Sequence, residues 1–116
     1  MLLGAKRIYD KAEIVDGRRV LVDRLWPRGV KKSTSNIDLW MKDVAPSDDL
    51  RKWFDHDPAK WIEFKKKYKK ELEGNKAFET LLNMVKESDI TLIYASKDDE
   101  HNNALALSEF IKEALS

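Results

Sequence analysis

The chain has 116 residues, 42% of them hydrophobic and 37% charged, with a formal net charge of +1; that length suits one domain burying roughly two-thirds of its extended surface, and that hydrophobic content excludes a disordered chain. It contains no cysteine and only two histidines, His56 and His101, which excludes disulfides, thiolate zinc sites and a cysteine nucleophile, leaves no basis for expecting a metal or cofactor, and suits a cytoplasmic, reducing compartment. No apolar run approaches the roughly eighteen residues of a membrane span, and the Met1–Arg7 segment carries charge where a signal peptide needs its apolar centre.

From the N-terminus, Ala5–Tyr9 is expected as a strand. Asp16-Gly17 marks a turn, and Arg19–Leu25 reads as a largely buried strand, because Val20, Leu21, Val22 and Leu25 are β-branched or aliphatic. Trp26-Pro27-Arg28-Gly29 must then leave the sheet: proline has no N–H for a central ladder, and glycine permits the bend. Residues 37–44 fit two patterns. Ile37, Trp40, Met41 and Val44 follow a helical period, while Leu39 and Met41 alternate as in a strand. A short strand is favoured, since Ala45-Pro46 ends it and Ser47 is a helix cap.

Four helices follow. Ser47 caps a short one with Leu50, Trp53 and Phe54 inward. Asp57 caps the next, with Pro58 in its first turn and an apolar stripe of Trp61, Phe64, Tyr68 and Leu72. Gly74-Asn75 breaks the chain before a helix lined by Phe78, Leu81, Leu82 and Val85. Ile90–Ala95 is the strongest strand, and its unbroken apolar run predicts burial on both faces. The last helix runs to about Leu115, with Ala104, Leu107, Ser108, Ile111 and Leu115 on one side.

A helix leading into Ile90–Ala95 and another leaving it are parts of an α/β unit. With no repeat or linker, residues 1–116 read as a single three-layer α/β domain, a mostly parallel central sheet with helices on its faces. Ligands of such sheets sit beyond the carboxyl ends of the strands, which singles out Asp23–Gly29 and Ser96–Asn103.

The first segment offers Arg24, Trp26 and Arg28. Guanidinium forks suit phosphate and carboxylate, and an indole suits a flat ring. The competing reading makes Trp26 a core residue, pairs Arg24 with Asp23 or another acid, and leaves Arg28 in solvent. The second segment offers Ser96, Lys97, Asn102 and Asn103 before a helix whose first-turn N–H groups attract anions. There the competing reading makes Asn102 or Asn103 a helix cap and leaves Asp98-Asp99-Glu100 to complement the dipole. His101 and Asp23 are the weak candidates for moving a proton. His56, beside Asp55 and Asp57, reads as a surface residue at a helix end.

Lys65, Lys66, Lys67, Lys69 and Lys70 look like a nucleic-acid patch until they are placed on the helix, where the apolar stripe sends most of them to the solvent face. Basic excess over residues 1–32 and 59–76 alternates with acidic excess over 33–58 and 77–116, which argues against a uniformly basic surface. Glycine-rich phosphate loops, G-x-S-x-G elbows and His-x-x-x-His pairs are missing from the sequence.

Asp23-Arg24-Leu25-Trp26-Pro27-Arg28-Gly29 resembles the hallmark of the YeaO-like family of small bacterial proteins, within a superfamily catalogued as a domain of unknown function. The resemblance continues in Arg7–Asp10, Asp38–Trp40, Ala45–Ser47, Leu50–Phe54, and Tyr94–Asp98 through His101–Ala104, and so covers nearly the whole chain in order. It implies no particular activity. A longer group of the superfamily is similar around the last strand but carries Cys, Glu and a Cys-His-Arg run, falling here on Tyr94, Ser96 and Asn102-Asn103-Ala104. The resemblance therefore implies that thiol- or metal-dependent chemistry of the longer group does not transfer.

The expected function is binding of a small anionic ligand, bearing phosphate or carboxylate, by Arg24, Trp26, Arg28, Ser96, Lys97, Asn102 and Asn103. An enzyme acting on such a ligand without thiol or metal ranks second, and a nucleic-acid-interacting module third.

Overall fold

The computed structural model describes residues 2–116. Four short strands, β1 (Leu3–Arg7), β2 (Arg18–Leu21), β3 (Leu39–Trp40) and β4 (Ile90–Tyr94), form one sheet in the order β1-β4-β2-β3. Every pairing is parallel. The apolar run of β4 is buried at each of its positions, as a strand covered on both faces must be. Leu92 pairs with Ala5 on one side and Val20 on the other.

The strand bounds move for local reasons. β1 ends at Arg7 rather than Tyr9 because the Asp10 amide turns back onto the Arg7 carbonyl at 3.1 Å. β2 stops at Leu21, although the Val22 amide still donates to Ile93 O at 3.0 Å. Beyond it the Asp23 side chain takes over, accepting from the Ala95 amide at 2.9 Å. Residues 37–44 hold both patterns seen in the sequence: the strand Leu39–Trp40, then a 3-10 turn at Lys42–Val44. Gly17 has φ 64°, and a Cβ there would lie 2.5 Å from the Asp89 carbonyl oxygen. Only glycine fits that turn without displacing backbone.

The helices are α1 (Asp48–Phe54), α2 (Trp61–Glu71), α3 (Lys76–Glu87) and α4 (Asn103–Leu115). Ser47 caps α1 by accepting from the Leu50 amide, and Asn75 caps α3 by accepting from Phe78. Asp57 caps a 3-10 turn, Pro58–Lys60, which runs directly into α2. None of these helices is long and apolar enough to cross a membrane.

The fold is a three-layer α/β arrangement with unequal outer layers. Side chains from all four helices, including Phe54, Phe64, Leu81 and Leu107, pack with Val20, Val22 and Leu92 on one face of the sheet. The other face carries a smaller cluster of Ile8, Leu21 and Ile93, covered by Trp26, Val30 and Ile37 from the connection between β2 and β3 and by Trp40 of β3. On that second face the buried Arg19 donates to Asp16 at 2.6 Å, and Lys6 reaches the same carboxylate at 3.2 Å.

Two inward placements are corrected. Trp53 is 37% exposed, its ring flanked by Lys60 and Lys67. A seven-residue helix with Leu50 and Phe54 buried has no inward room for a third large side chain between them. Leu115 is also 37% exposed, since α4 ends there, past the sheet. The lysines of α2 divide: Lys65 and Lys69 pair with Glu109 and Glu113 of α4, while Lys66 and Lys70 are exposed.

Candidate functional site

β2 and β4 are neighbours in register and end on the same edge of the sheet, so the loops leaving them meet. Together with the C-terminal turn of α1 they wall a cleft of about 1030 Å³. Arg24, Trp26, Arg28, Ser96, Lys97, Asn102 and Asn103 all line it, as do Asp23 and His101.

Their side chains have different commitments. Arg24 donates through Nε to Pro46 O at 3.0 Å and through Nη2 to Ala45 O at 3.1 Å, tying the β2 loop to the entry of α1. Trp26 donates its indole N–H to Val30 O at 2.7 Å and packs edge-on against Trp40. Asn102 is the cap of α4: its side chain accepts from the Leu105 amide and donates to Asp98 O, and it is 2% exposed. For Trp26 and Asn102 the structural reading of the sequence describes what the side chains do; Arg24 is likewise engaged by the protein, but by backbone carbonyls rather than by Asp23 or another acid. Ser96 Oγ accepts from the Asp98 amide at 3.2 Å, which leaves its hydroxyl proton free to donate.

Arg28 and Lys97 differ. Both are exposed, and neither side chain has a hydrogen-bond or ion-pair partner among the described residues. One comes from the loop after β2 and the other from the loop after β4, and they face one cleft. Such unpaired cations are available to an anion.

Two carboxylates shape the interior. Asp23 Oδ2 accepts from the Ala95 amide at 2.9 Å, and Oδ1 accepts from Asn103 Nδ2 at 3.2 Å, which joins the ends of β2 and β4 to the start of α4. Burial pushes the Asp23 carboxyl above its ordinary range, and the two donors only partly offset that. Asp98 accepts from the backbone amides of Glu100 and His101 and lies 3.0 Å from His101 Nδ1. The Glu100 amide above all, with His101, holds its carboxyl below the ordinary range. The His101 ring also meets Trp61 edge-on at 5.5 Å. One ring nitrogen is thus engaged by Asp98, and Nε2 remains for other partners.

The third wall has no counterpart among the expected site residues. Arg51, Lys52, Asp55 and His56 line the cleft from the end of α1. Asp55 (φ 46°) and His56 (φ 54°) are consecutive left-handed residues, a conformation that costs non-glycine residues roughly 1–3 kcal/mol each. That turn swings His56 to the cleft, so both histidines of the chain line it. Read locally, Asp55-His56-Asp57-Pro58 is only the end of one helix and the cap of the next; no sequence signal brings it to the strand ends. Among the described residues, no three His, Asp or Glu side chains converge to hold a metal ion.

Residues 2–116 match the family described as the inactive DUF488-N3 subclade. The chain belongs to this family. It is 39% identical to the Escherichia coli protein YeaO over 113 residues, which cover 97% of this chain and 98% of that one. It is 36% identical over 105 residues to the Mycobacterium bovis protein Mb3100c and to the Mycobacterium tuberculosis protein Rv3073c, covering 90% of this chain and 89% of each. No solved structure matches it. The family thus bears out the YeaO-like resemblance carried by Asp23–Gly29.

Proposed function

We propose that the chain binds a small ligand bearing phosphate or carboxylate in the cleft at the strand ends, and holds it without turnover. What carries this reading is the convergence of Arg28 and Lys97, two exposed cations without protein partners, from separate loops onto one cleft. The N-terminus of α4 opens at the same place, where its dipole favours negative charge. Arg24 and Asn103 frame the site, and the Ser96 hydroxyl is a further donor. The family's description as an inactive subclade favours binding over turnover.

One observation favours an enzyme as the second reading. Asp98 engages His101 Nδ1 at 3.0 Å, a pairing that orients an imidazole for proton transfer, and Lys97 beside it would stabilise developing negative charge. Product formation from a bound anion would separate the two readings. Nucleic-acid binding has less support, since Lys65 and Lys69 of the basic helix are paired with Glu109 and Glu113.

The test is calorimetric titration with inorganic phosphate, methyl phosphate and citrate, on the wild type and on Arg28 variants. A charge-assisted bond contributes roughly 1.5–3 kcal/mol, so Arg28→Ala is expected to weaken the anion that binds by about ten- to a hundredfold. Arg28→Lys should recover part of this, because an ammonium lacks the fork. Unchanged affinity in Arg28→Ala and Lys97→Gln together would overturn the proposal.

A further inference from the structure

We infer that the anion held in this cleft carries an N–H donor group on the same molecule, and that Asp23, at the ends of β2 and β4, receives it. The inference rests on the anion-binding reading above and narrows the ligand class to amine-, amide- or heterocycle-bearing anions.

Asp23 lines the cleft, yet no cation pairs with it. The adjacent Arg24 turns its guanidinium to the carbonyls of Pro46 and Ala45 instead. The two bonds Asp23 accepts, from the Ala95 amide and the Asn103 side chain, come from uncharged groups and use one direction on each oxygen. A carboxylate accepts about four hydrogen bonds, so one direction on each oxygen is left over. Asp23 is partly buried, and partial withdrawal from water without a counter-charge disfavours its ionised form. A ligand ammonium would supply that counter-charge, and an amide or ring N–H would fill the vacant acceptor directions.

The other carboxylates of the cleft are less suited. Asp98 is occupied by the amides of Glu100 and His101 and by the His101 ring. Asp55 is exposed, so water competes for it.

Size and wall chemistry point the same way. The cleft, at about 1030 Å³, lies at the upper end of the roughly 300–1,000 Å³ typical of small-molecule sites. That is far more than a lone phosphate or carboxylate fills. The same cleft carries apolar lining, with Pro27, Pro46 and Phe54, and with Leu25 left 60% exposed. A ligand body lying against that lining would join an anionic group at Arg28 and Lys97 to a donor nitrogen at Asp23.

The experiment compares matched probes on the wild-type protein. Methyl phosphate and ribose 5-phosphate lack a donor nitrogen; phosphoethanolamine adds an ammonium to the first, and guanosine monophosphate adds a ring N–H and an amino group to the second. At least one nitrogen-bearing probe is expected to bind about tenfold or more tightly than its match, the worth of one good charge-assisted bond. Which pair shows the gain distinguishes an amine from a heterocycle. The Ala95 amide, bonded to Asp23 Oδ2, should shift in NMR spectra with that probe and stay put with methyl phosphate. Asp23→Asn should bring the ratio of affinities towards one; if that variant does not fold, the Ala95 shift in the wild type decides. Equal affinities within both pairs, with methyl phosphate still bound, would overturn this inference and leave the anion-binding reading standing. No binding of any of the four would overturn both.

Discussion

Arg24 and Arg28 lie in one loop with the same side-chain chemistry, and their surroundings separate them. Truncating Arg24 would orphan the Pro46 and Ala45 carbonyls where the chain enters α1, a loss of roughly 1–3 kcal/mol for groups left without a donor. Truncating Arg28 breaks no side-chain bond, so Arg28→Ala should stay within about 0.5 kcal/mol of wild type. Urea unfolding of the two variants should give well-separated midpoints, and coincident midpoints would contradict the division of labour. A sequence cannot make that distinction, because the carbonyls that claim Arg24 belong to residues 45 and 46, brought close only by the fold. The buried Asp16–Arg19 pair allows a sharper test. Arg19→Ala leaves a carboxylate 7% exposed with Lys6 as its one remaining cation, so the loss should fall below the roughly 3–5 kcal/mol of a buried charge left unpaired. Burial alone would raise the Asp16 pKa, but the Glu13 amide, Arg19 and Lys6 together lower it. The folded state therefore binds the Asp16 proton more weakly than the unfolded chain. Its contribution is intact above the ordinary carboxylate value and is lost as pH falls through the lowered one. Acid unfolding of Arg19→Ala should accordingly begin at higher pH than that of the wild type.

At the scale of elements, legibility followed how local the deciding interaction is. Caps were legible, because Ser47, Asp57 and Asn102 bond amides two or three residues ahead. The strand Ile90–Tyr94 was legible from its apolar run alone. The ends of β1 and β2 were not, because a turn at Asp10 and the long-range bond from Ala95 to Asp23 close them. The α1 turn at Asp55-His56 was missed for the same reason: its place beside the strand ends is a tertiary fact. Two predictions belong here. Asn102→Ala removes the cap of α4 and should cost about 0.5–2 kcal/mol, while Asn102→Asp keeps the acceptor for the Leu105 amide but loses the donor to Asp98 O and should recover only part of it. On α2, Lys66 and Lys70 are exposed, so changing both to glutamine should leave stability within about 0.5 kcal/mol. A large stability change in that double variant would mean this face carries packing its exposure conceals.

For the whole molecule, the two faces of β4 should respond differently to the same truncation. Leu92 points into the larger core, where side chains of all four helices meet Val20 and Val22. Ile93, the next residue, points into the smaller cluster under the connection between β2 and β3, with Trp26 and Trp40 as its cover. Both are fully buried, so transfer of the lost methyl groups is similar, and the difference lies in how far each cavity can close. Helices fixed to one another resist collapse, whereas a loop layer held by two indole–carbonyl bonds, Trp26 to Val30 and Trp40 to Asp23, and an edge-on aromatic pair can settle inward. Leu92→Ala should thus fall high in the roughly 2–5 kcal/mol range for such changes, and Ile93→Ala low. The effects on the cleft should run the other way. Settling around Ile93 moves Trp26 and Ala95, which line the cleft, while the cavity at Leu92 lies on the helical side of the sheet. Ile93→Ala is therefore expected to weaken whichever anionic probe the wild type binds, and Leu92→Ala to lower the unfolding midpoint with little change in affinity. Denaturant unfolding and calorimetric titration of the two variants test both halves. Equal affinities in the two variants would show that the loop layer does not set the geometry of the cleft.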